Sequence, residues 1–345
     1  MAIQSRAALS FALLIACGAT TGHLKAVPHF ELSFAQQTNA DAIDAPCKEL
    51  DLLVKAQVAN GQLDSAEAAI NSALTSGSVP AQGLCAAIGY NNLAAIMLDS
   101  GRLIEAERYA ERSLSEFAKT YPANSLVLFS PLHTLCVALL EQRMIGPARQ
   151  ALRRIESMEI VRHEDRALVK NLAATLFVLE QKDGEAEAAF LDGLAAMQQA
   201  HRLHSANAAV MMEGLGSLYT RHRRFEEARR ELDLASATFH ESKETLPVDL
   251  ILLLNFQAQL HKELAEWHDA ENDLLEAMSL ARGQPQMDAR TVRSLLANYA
   301  FVLRHMHRGR EARQVEANIA ALEHRPSGVI DVAELLQTSK LRNGK

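Results

Sequence analysis

The chain has 345 residues, 48% of them hydrophobic and 5% aromatic, with a formal net charge of −7 and a pI near 6.0. That balance supplies a large core and removes any general reason to expect nucleic-acid binding, for which a basic surplus is needed. Glu and Arg mostly alternate along helical spacings, which marks a solvated surface.

The first segment, residues 1–19, reads as an export signal. Arg6 supplies positive charge ahead of the apolar run Ala7–Cys17, and small and polar residues follow. At 11 residues this run is too short to cross a bilayer, and no later stretch reaches 18 apolar residues. Leu14-Ile15-Ala16-Cys17 resembles the lipobox of bacterial lipoproteins, in which the cysteine is acylated and becomes the first mature residue. General signal-peptidase cleavage after Ala19 or Ala26 is the competing expectation. The expected location is therefore periplasmic or secreted, with lipid anchoring through Cys17 as the variant. Residues 20–40 are polar with little periodicity and read as a tether.

From residue 41 to 322 the chain repeats. An alanine recurs at Ala106, Ala148, Ala186, Ala228, Ala270 and Ala312, in steps of 42, 38, 42, 42 and 42 residues, with a weaker copy at Ala66. A period of this size means supersecondary units stacked in a line, each burying its apolar face only against its neighbours. In the first unit a helix to Val58 turns at Asn60-Gly61 and returns along Leu63–Ser76, before Gly77–Pro80 breaks the chain. In the second, Leu93, Ile96, Met97 and Leu98 keep helical spacing, and Gly101 permits a left-handed turn. A second helix then carries Leu103, Ala106, Tyr109, Ala110 and Leu114. The marker alanine lets two helix backbones cross closely, where a larger side chain would wedge them apart.

The run NNLA, then GRLIEAE, then a leucine-bearing helix resembles a tetratricopeptide repeat, in the 42-residue variety found in kinesin light chains and many bacterial proteins. Echoes lie at 171–190, 214–235, 256–277 and 298–322, so the resemblance spans about residues 47–322. It implies an all-α, right-handed superhelical solenoid of about seven helix-turn-helix units. It also implies that the first helices line a concave groove. The unit around Ala148 departs from the pattern: Ser130-Pro131 suits a helix start, so its first helix is expected to be shortened or kinked, and Gly146-Pro147 precedes the marker. In the unit around Ala186 the turn reads as one residue longer than elsewhere. Beyond 322, residues 323–345 read as a cap, with a short helix Val332–Thr338, and a disordered tail.

Cys47 and Cys85 occupy nearly equivalent places at the starts of neighbouring first helices. In an oxidising compartment they are expected to form a disulfide that staples this end of the array; otherwise they are two small buried thiols. Cys136 falls where a first helix wants a small buried residue.

Chemistry finds little foothold. His201 and His204, or His305 and His307, lack the third and fourth ligands of a zinc site. No nucleophile elbow or phosphate-binding glycine loop is present, so no catalytic residue, cofactor or metal is assigned. The basic turn Arg221, Arg223, Arg224 suits either helical ion pairs with solvent or an anionic partner. Asparagine recurs near one place in the first helices, although it is a poor mid-helix residue. The resemblance implies that such amides hydrogen-bond the backbone of a bound extended peptide. On that basis the groove candidates are Asn92, His133, Asn171, Glu213, Asn255, Gln259, Lys262 and Asn298. The alternative is that the amides tie neighbouring helices together. The expected function is an exported, non-enzymatic adaptor or scaffold for a protein or peptide partner, with self-association open to its large surface. A lipid-anchored envelope protein assisting cell-wall or outer-membrane assembly is a second expectation, and the ligand-sensing part of a regulator a third.

Overall fold

The structure is a computed structural model that describes residues 45–243, 245–282 and 289–323. Among these residues there are fourteen α-helices and no strand. They are α1 (Ala45–Ala59), α2 (Leu63–Ser76), α3 (Leu84–Asp99), α4 (Leu103–Phe117), α5 (Phe129–Glu141), α6 (Ile145–Glu156) and α7 (His163–Leu179), followed by α8 (Asp183–Gln199), α9 (Ala206–Arg221), α10 (Phe225–Glu241), α11 (Pro247–Glu263), α12 (Trp267–Arg282), α13 (Ala289–His305) and α14 (Gly309–Glu323). The export signal, the tether, Cys17, and the expected helix at 332–338 lie outside the described residues.

Consecutive helices pair into seven hairpins, the repeat architecture that the resemblance implied. Every hairpin turn has three residues, and its middle residue has φ between 58° and 72°: Gly61, Gly101, Arg143, Gln181, Arg223, Ala265 and His307. The third turn residue closes the helix end by donating its amide to a carbonyl five residues back, as in Arg102 to Met97 and Glu266 to His261, both at 2.8 Å. This bonding holds the left-handed residue even where it is not glycine, at a cost of roughly 1–2 kcal/mol per position. The turn before Ala186 is no longer than the others; Gln181 takes the glycine's place, which hid the equivalence.

The seven marker alanines, Ala66, Ala106, Ala148, Ala186, Ala228, Ala270 and Ala312, are all 0% exposed. Helix backbones pass close by them. A Cβ added at Gly216 of α9 would lie 2.6 Å from Leu232 Cγ of α10, so only glycine fits that crossing.

The hairpins fall into two compact units, one holding α1–α6 with α7 up to Leu176, the other holding Phe177–Leu194 with α9–α14. In the first unit α1 packs on α3 and α3 on α5, while α4 fills the gap between α3 and α5. In the second, α9, α11 and α13 pack side by side in the same way, with α10 and α12 between them. First helices therefore form one continuous layer within each unit.

Two devices tie successive hairpins together. Cys47 in the first turn of α1 and Cys85 in the first turn of α3 form a disulfide, with α-carbons 5.7 Å apart. The second device is a recurring charged staple. Arg102, directly after its turn glycine, bonds Glu105 of its own hairpin at 2.5 and 2.7 Å and Glu67 of the preceding one at 2.7 Å. Arg224 repeats this with Glu227 and Glu187, and Arg308 with Glu311 and Glu271. At the α11–α12 turn the polarity is reversed: Glu266 takes the arginine's place and accepts from Arg229 at 3.0 and 3.1 Å.

The irregular hairpin α5/α6 differs from its sequence reading in detail. Ser125, not Ser130, provides the cap, its hydroxyl accepting from the Val127 amide of a short 3-10 turn, Leu126–Leu128. Ser130 lies inside α5 because its hydroxyl is used elsewhere, as a partner of Asn91. At 13 residues α5 is shorter than α3, which has 16.

Candidate partner-binding face

The first helices of each unit are accessible in some places and closed in others. On α3, Ile88, Asn92, Ala95 and Asp99 are half-exposed at a spacing that puts them on one helix face. On α13, Ser294, Ala297, Phe301 and His305 form a comparable stripe. By contrast, all residues of α5 are buried, and Asn171–Leu176 of α7 are buried as well.

A polar side chain stands at one register along this layer. Asp51, Asn91, His133, Asn171, Glu213 and Asn255 each lie ten residues before the left-handed turn residue of their hairpin. Asn91 Nδ2 donates to Ser130 Oγ at 3.1 Å, crossing from α3 to α5. Lys262 Nζ donates to Asn298 Oδ1 at 2.6 Å, Asn298 Nδ2 to Asn255 Oδ1 at 2.8 Å, and Asn255 Nδ2 to Ser294 Oγ at 3.2 Å. These amides therefore join neighbouring first helices. An unpaired amide here would cost about 1–3 kcal/mol, so the chain of bonds specifies how α11 meets α13.

The sequence-predicted residues thus divide by access. Asn255 and Asn298 are buried, His133 is 2% exposed and Glu213 is 1% exposed. Asn171 is buried too, and among the described residues its Oδ1, like His133 Nδ1, accepts or donates no hydrogen bond. Full burial pushes the His133 imidazole down to about 4, holding it neutral at ordinary pH. Asn92 and Lys262 are half-exposed and remain within reach of a partner, whereas the Nε2 of the half-exposed Gln259 is buried and makes no hydrogen bond among the described residues. Asn92 Nδ2 also donates to Asp51 Oδ1 at 3.1 Å. His261, one residue from Lys262, is held above the ordinary imidazole range by Asp273, 2.7 Å from its Nδ1.

The basic turn is largely neutralised. Arg221 donates to Asp183 at 2.5 Å, and Arg224 is engaged by Glu187 and Glu227. Arg223 is exposed, with its guanidinium 5.8 Å from the Phe225 ring. The arrangement is an inter-hairpin staple with one outlying cation.

Cys136 is a free, buried thiol that donates to the Ala148 carbonyl at 3.5 Å, and burial pushes it up to about 12. That state is unreactive. Among the described residues no three His, Cys, Asp or Glu side chains gather as a metal site, and no helix is long and apolar enough to cross a membrane. One feature escaped sequence reasoning: an aromatic cluster of Trp267, Phe301 and His305. Trp267 lies 34 and 38 residues before Phe301 and His305, and only the packing of α11/α12 against α13/α14 brings them together.

No family model matches the chain, and no curated protein matches it. Among solved structures, the chain is similar to BtubC (BKLC) from P. vanneervenii at 15% sequence identity, covering 69% of this chain and 94% of that one, with a TM-score of 0.48. It is also similar to a tetratricopeptide repeat protein from Parabacteroides merdae ATCC 43184 at 16% identity, covering 86% of this chain and 99% of that one, with a TM-score of 0.49.

Proposed function

We propose that this chain is an exported, non-enzymatic adaptor that holds an extended protein segment against first helices of one unit. The observation that carries this reading is the half-exposed stripe Ile88, Asn92, Ala95 and Asp99 on α3. Its side chains offer apolar contact, an amide and a carboxylate at one-turn intervals on a rigid helix, which suits a segment lying across the layer. Repeat scaffolds use such continuous surfaces, because each hairpin adds a strip of the same face. Buried asparagines support the first helices of each unit, where Asn92 in one and Lys262 in the other are half-exposed.

Affinity capture of the mature protein from native envelope extract tests the reading, beside variants Ala95→Arg and Ala297→Arg that block the face without touching the core. Loss of a captured protein from either variant, with helicity unchanged, is the supporting result. Retention by both overturns it and moves the site to the second helices.

Leu14-Ile15-Ala16-Cys17 favours a second reading, in which the adaptor is tethered to a membrane by a lipid on Cys17. Palmitate labelling that disappears in Cys17→Ala is its requirement, and unlabelled protein sinks it.

A further inference from the structure

Trp267 is the one tryptophan of the chain and opens α12. Its ring stacks on His305 at the end of α13, with centroids 4.4 Å apart and 19° between the planes. Phe301, 38% exposed, lies 4.2 Å from His305 and 6.3 Å from Trp267. Beside the indole is a cleft of about 380 Å³ lined by Ala265, Glu266, Trp267, His268, Asp269 and Met306. Of these three packed rings Trp267 lines the cleft, held in place by the stacked His305.

The charges around this cleft are unevenly spent. Arg304 is occupied by Glu316 through two bonds at 2.7 and 2.8 Å, while Lys262 bonds Asn298 and already lies 4.7 Å over the Phe301 ring. Glu266 already accepts from Arg229. Asp269 is exposed, lines the cleft, and has no hydrogen-bond or ion-pair partner among the described residues. The Trp267 indole beside the exposed Asp269 carboxylate, which also helps hold His261 above the ordinary imidazole range, is complementary to a planar cation.

We propose that this cleft takes the guanidinium of an arginine on a protein partner, stacked on Trp267 and paired with the Asp269 carboxylate. Arginine fits better than lysine because its flat, weakly hydrated head stacks on aromatic faces while its fork donates to a carboxylate. An apolar aromatic guest would leave Asp269 beside it without a partner. Phosphate and anionic lipid headgroups are disfavoured by Glu266 and Asp269 together. The inference rests on the adaptor reading, since Phe301 and His305 belong to the first-helix face, and it names the chemistry recognised at one end of that face.

Because Trp267 is unique, its emission reports this cleft alone. The full chain is titrated with N-acetyl-arginine amide, N-acetyl-lysine amide and N-acetyl-phenylalanine amide. The expected result is a saturable change in emission with the arginine probe, tighter than lysine by about fivefold, the ratio that roughly 1 kcal/mol of stacking and pairing produces. Asp269→Asn, an exposed substitution, should weaken the arginine probe by a similar factor with the unliganded spectrum unchanged. No saturable change with arginine, equal binding of lysine, preference for phenylalanine, or full affinity in Asp269→Asn would each overturn the proposal. None of these outcomes bears on whether a partner meets the face elsewhere, so the adaptor reading fails or stands separately, on capture.

Discussion

Reducing the Cys47–Cys85 disulfide should loosen one end of the fold and leave the rest untouched. The bond closes a loop of 38 residues, from the first turn of α1 through α2 to the first turn of α3. In the loop-entropy model, closing a loop of that length stabilises by about 4 kcal/mol, between the values for 15- and 100-residue loops. The effect belongs only to openings that separate α1 from α3, because repeat arrays exchange free energy between neighbours. Four kcal/mol corresponds to roughly a thousandfold in an opening equilibrium. Hydrogen exchange read by mass spectrometry should therefore show amides of α1 and α2 exchanging up to about a thousandfold faster after reduction. Amides of α11–α14 should not change. Cys47 is buried while Cys85 is half-exposed, so reductant has access at Cys85, and Cys85→Ala supplies the same comparison without reductant. Equal exchange in α1–α2 with and without the bond would refute the reasoning. So would peptide mapping that finds Cys47 and Cys85 unlinked in the unreduced protein.

Three further outcomes follow from packing and charge. Gly216→Ala drives a Cβ to 2.6 Å from Leu232 Cγ, and chemical denaturation should show a loss of about 1–3 kcal/mol for the α9–α10 region; a neutral change would mean that α9 and α10 stand further apart. Arg229→Glu should destabilise by up to about 1 kcal/mol and be partly rescued by Glu266→Arg, because the pair stands where the other staples have the opposite polarity; a double-mutant cycle with no coupling would count against the staple. His133 is depressed to about 4 by burial, so the unfolded chain binds a proton that the folded chain refuses. Stability must then fall as pH drops from the ordinary imidazole value toward 4, by on the order of 2–3 kcal/mol at pH 4.5. His133→Gln should lack that share of the acid loss in unfolding at pH 7.5 and 4.5, and an identical pH dependence would disprove it. His261 has the opposite sign: its pKa is raised by Asp273, so its stabilisation is present at low pH and fades as pH rises through the raised value.

Much of the architecture could be read from residues alone because the repeat is written in its alanines. Ala66 through Ala312 mark every crossing, and Gly61 and Gly101 mark two turns. The other five turns use Arg143, Gln181, Arg223, Ala265 and His307, where backbone closure overrides side-chain preference, and no residue type signals that. Asparagine recurrence was visible, but its meaning was not: the partners Ser130 and Ser294 lie 39 residues from Asn91 and Asn255, on the next first helix. The staples were hidden in an Arg/Glu pattern that looks like any solvated helix face. Aligning repeats on the marker alanine reveals them, since Arg102, Arg224 and Arg308 each follow the left-handed turn residue. Burial divides the groove candidates in a way that spacing alone does not, because first helices at equivalent register differ in how fully they are covered.

Site-specific photo-crosslinking most directly tests whether the first-helix layer is the working surface. A photoreactive residue is placed at Ala95 on α3 and at Ala297 on α13, and, as outward controls, at the exposed Ile104 of α4 and Leu275 of α12. The account predicts a protein adduct from each first-helix position in intact cells and none from the controls. Adducts from Ile104 or Leu275 alone would contradict it.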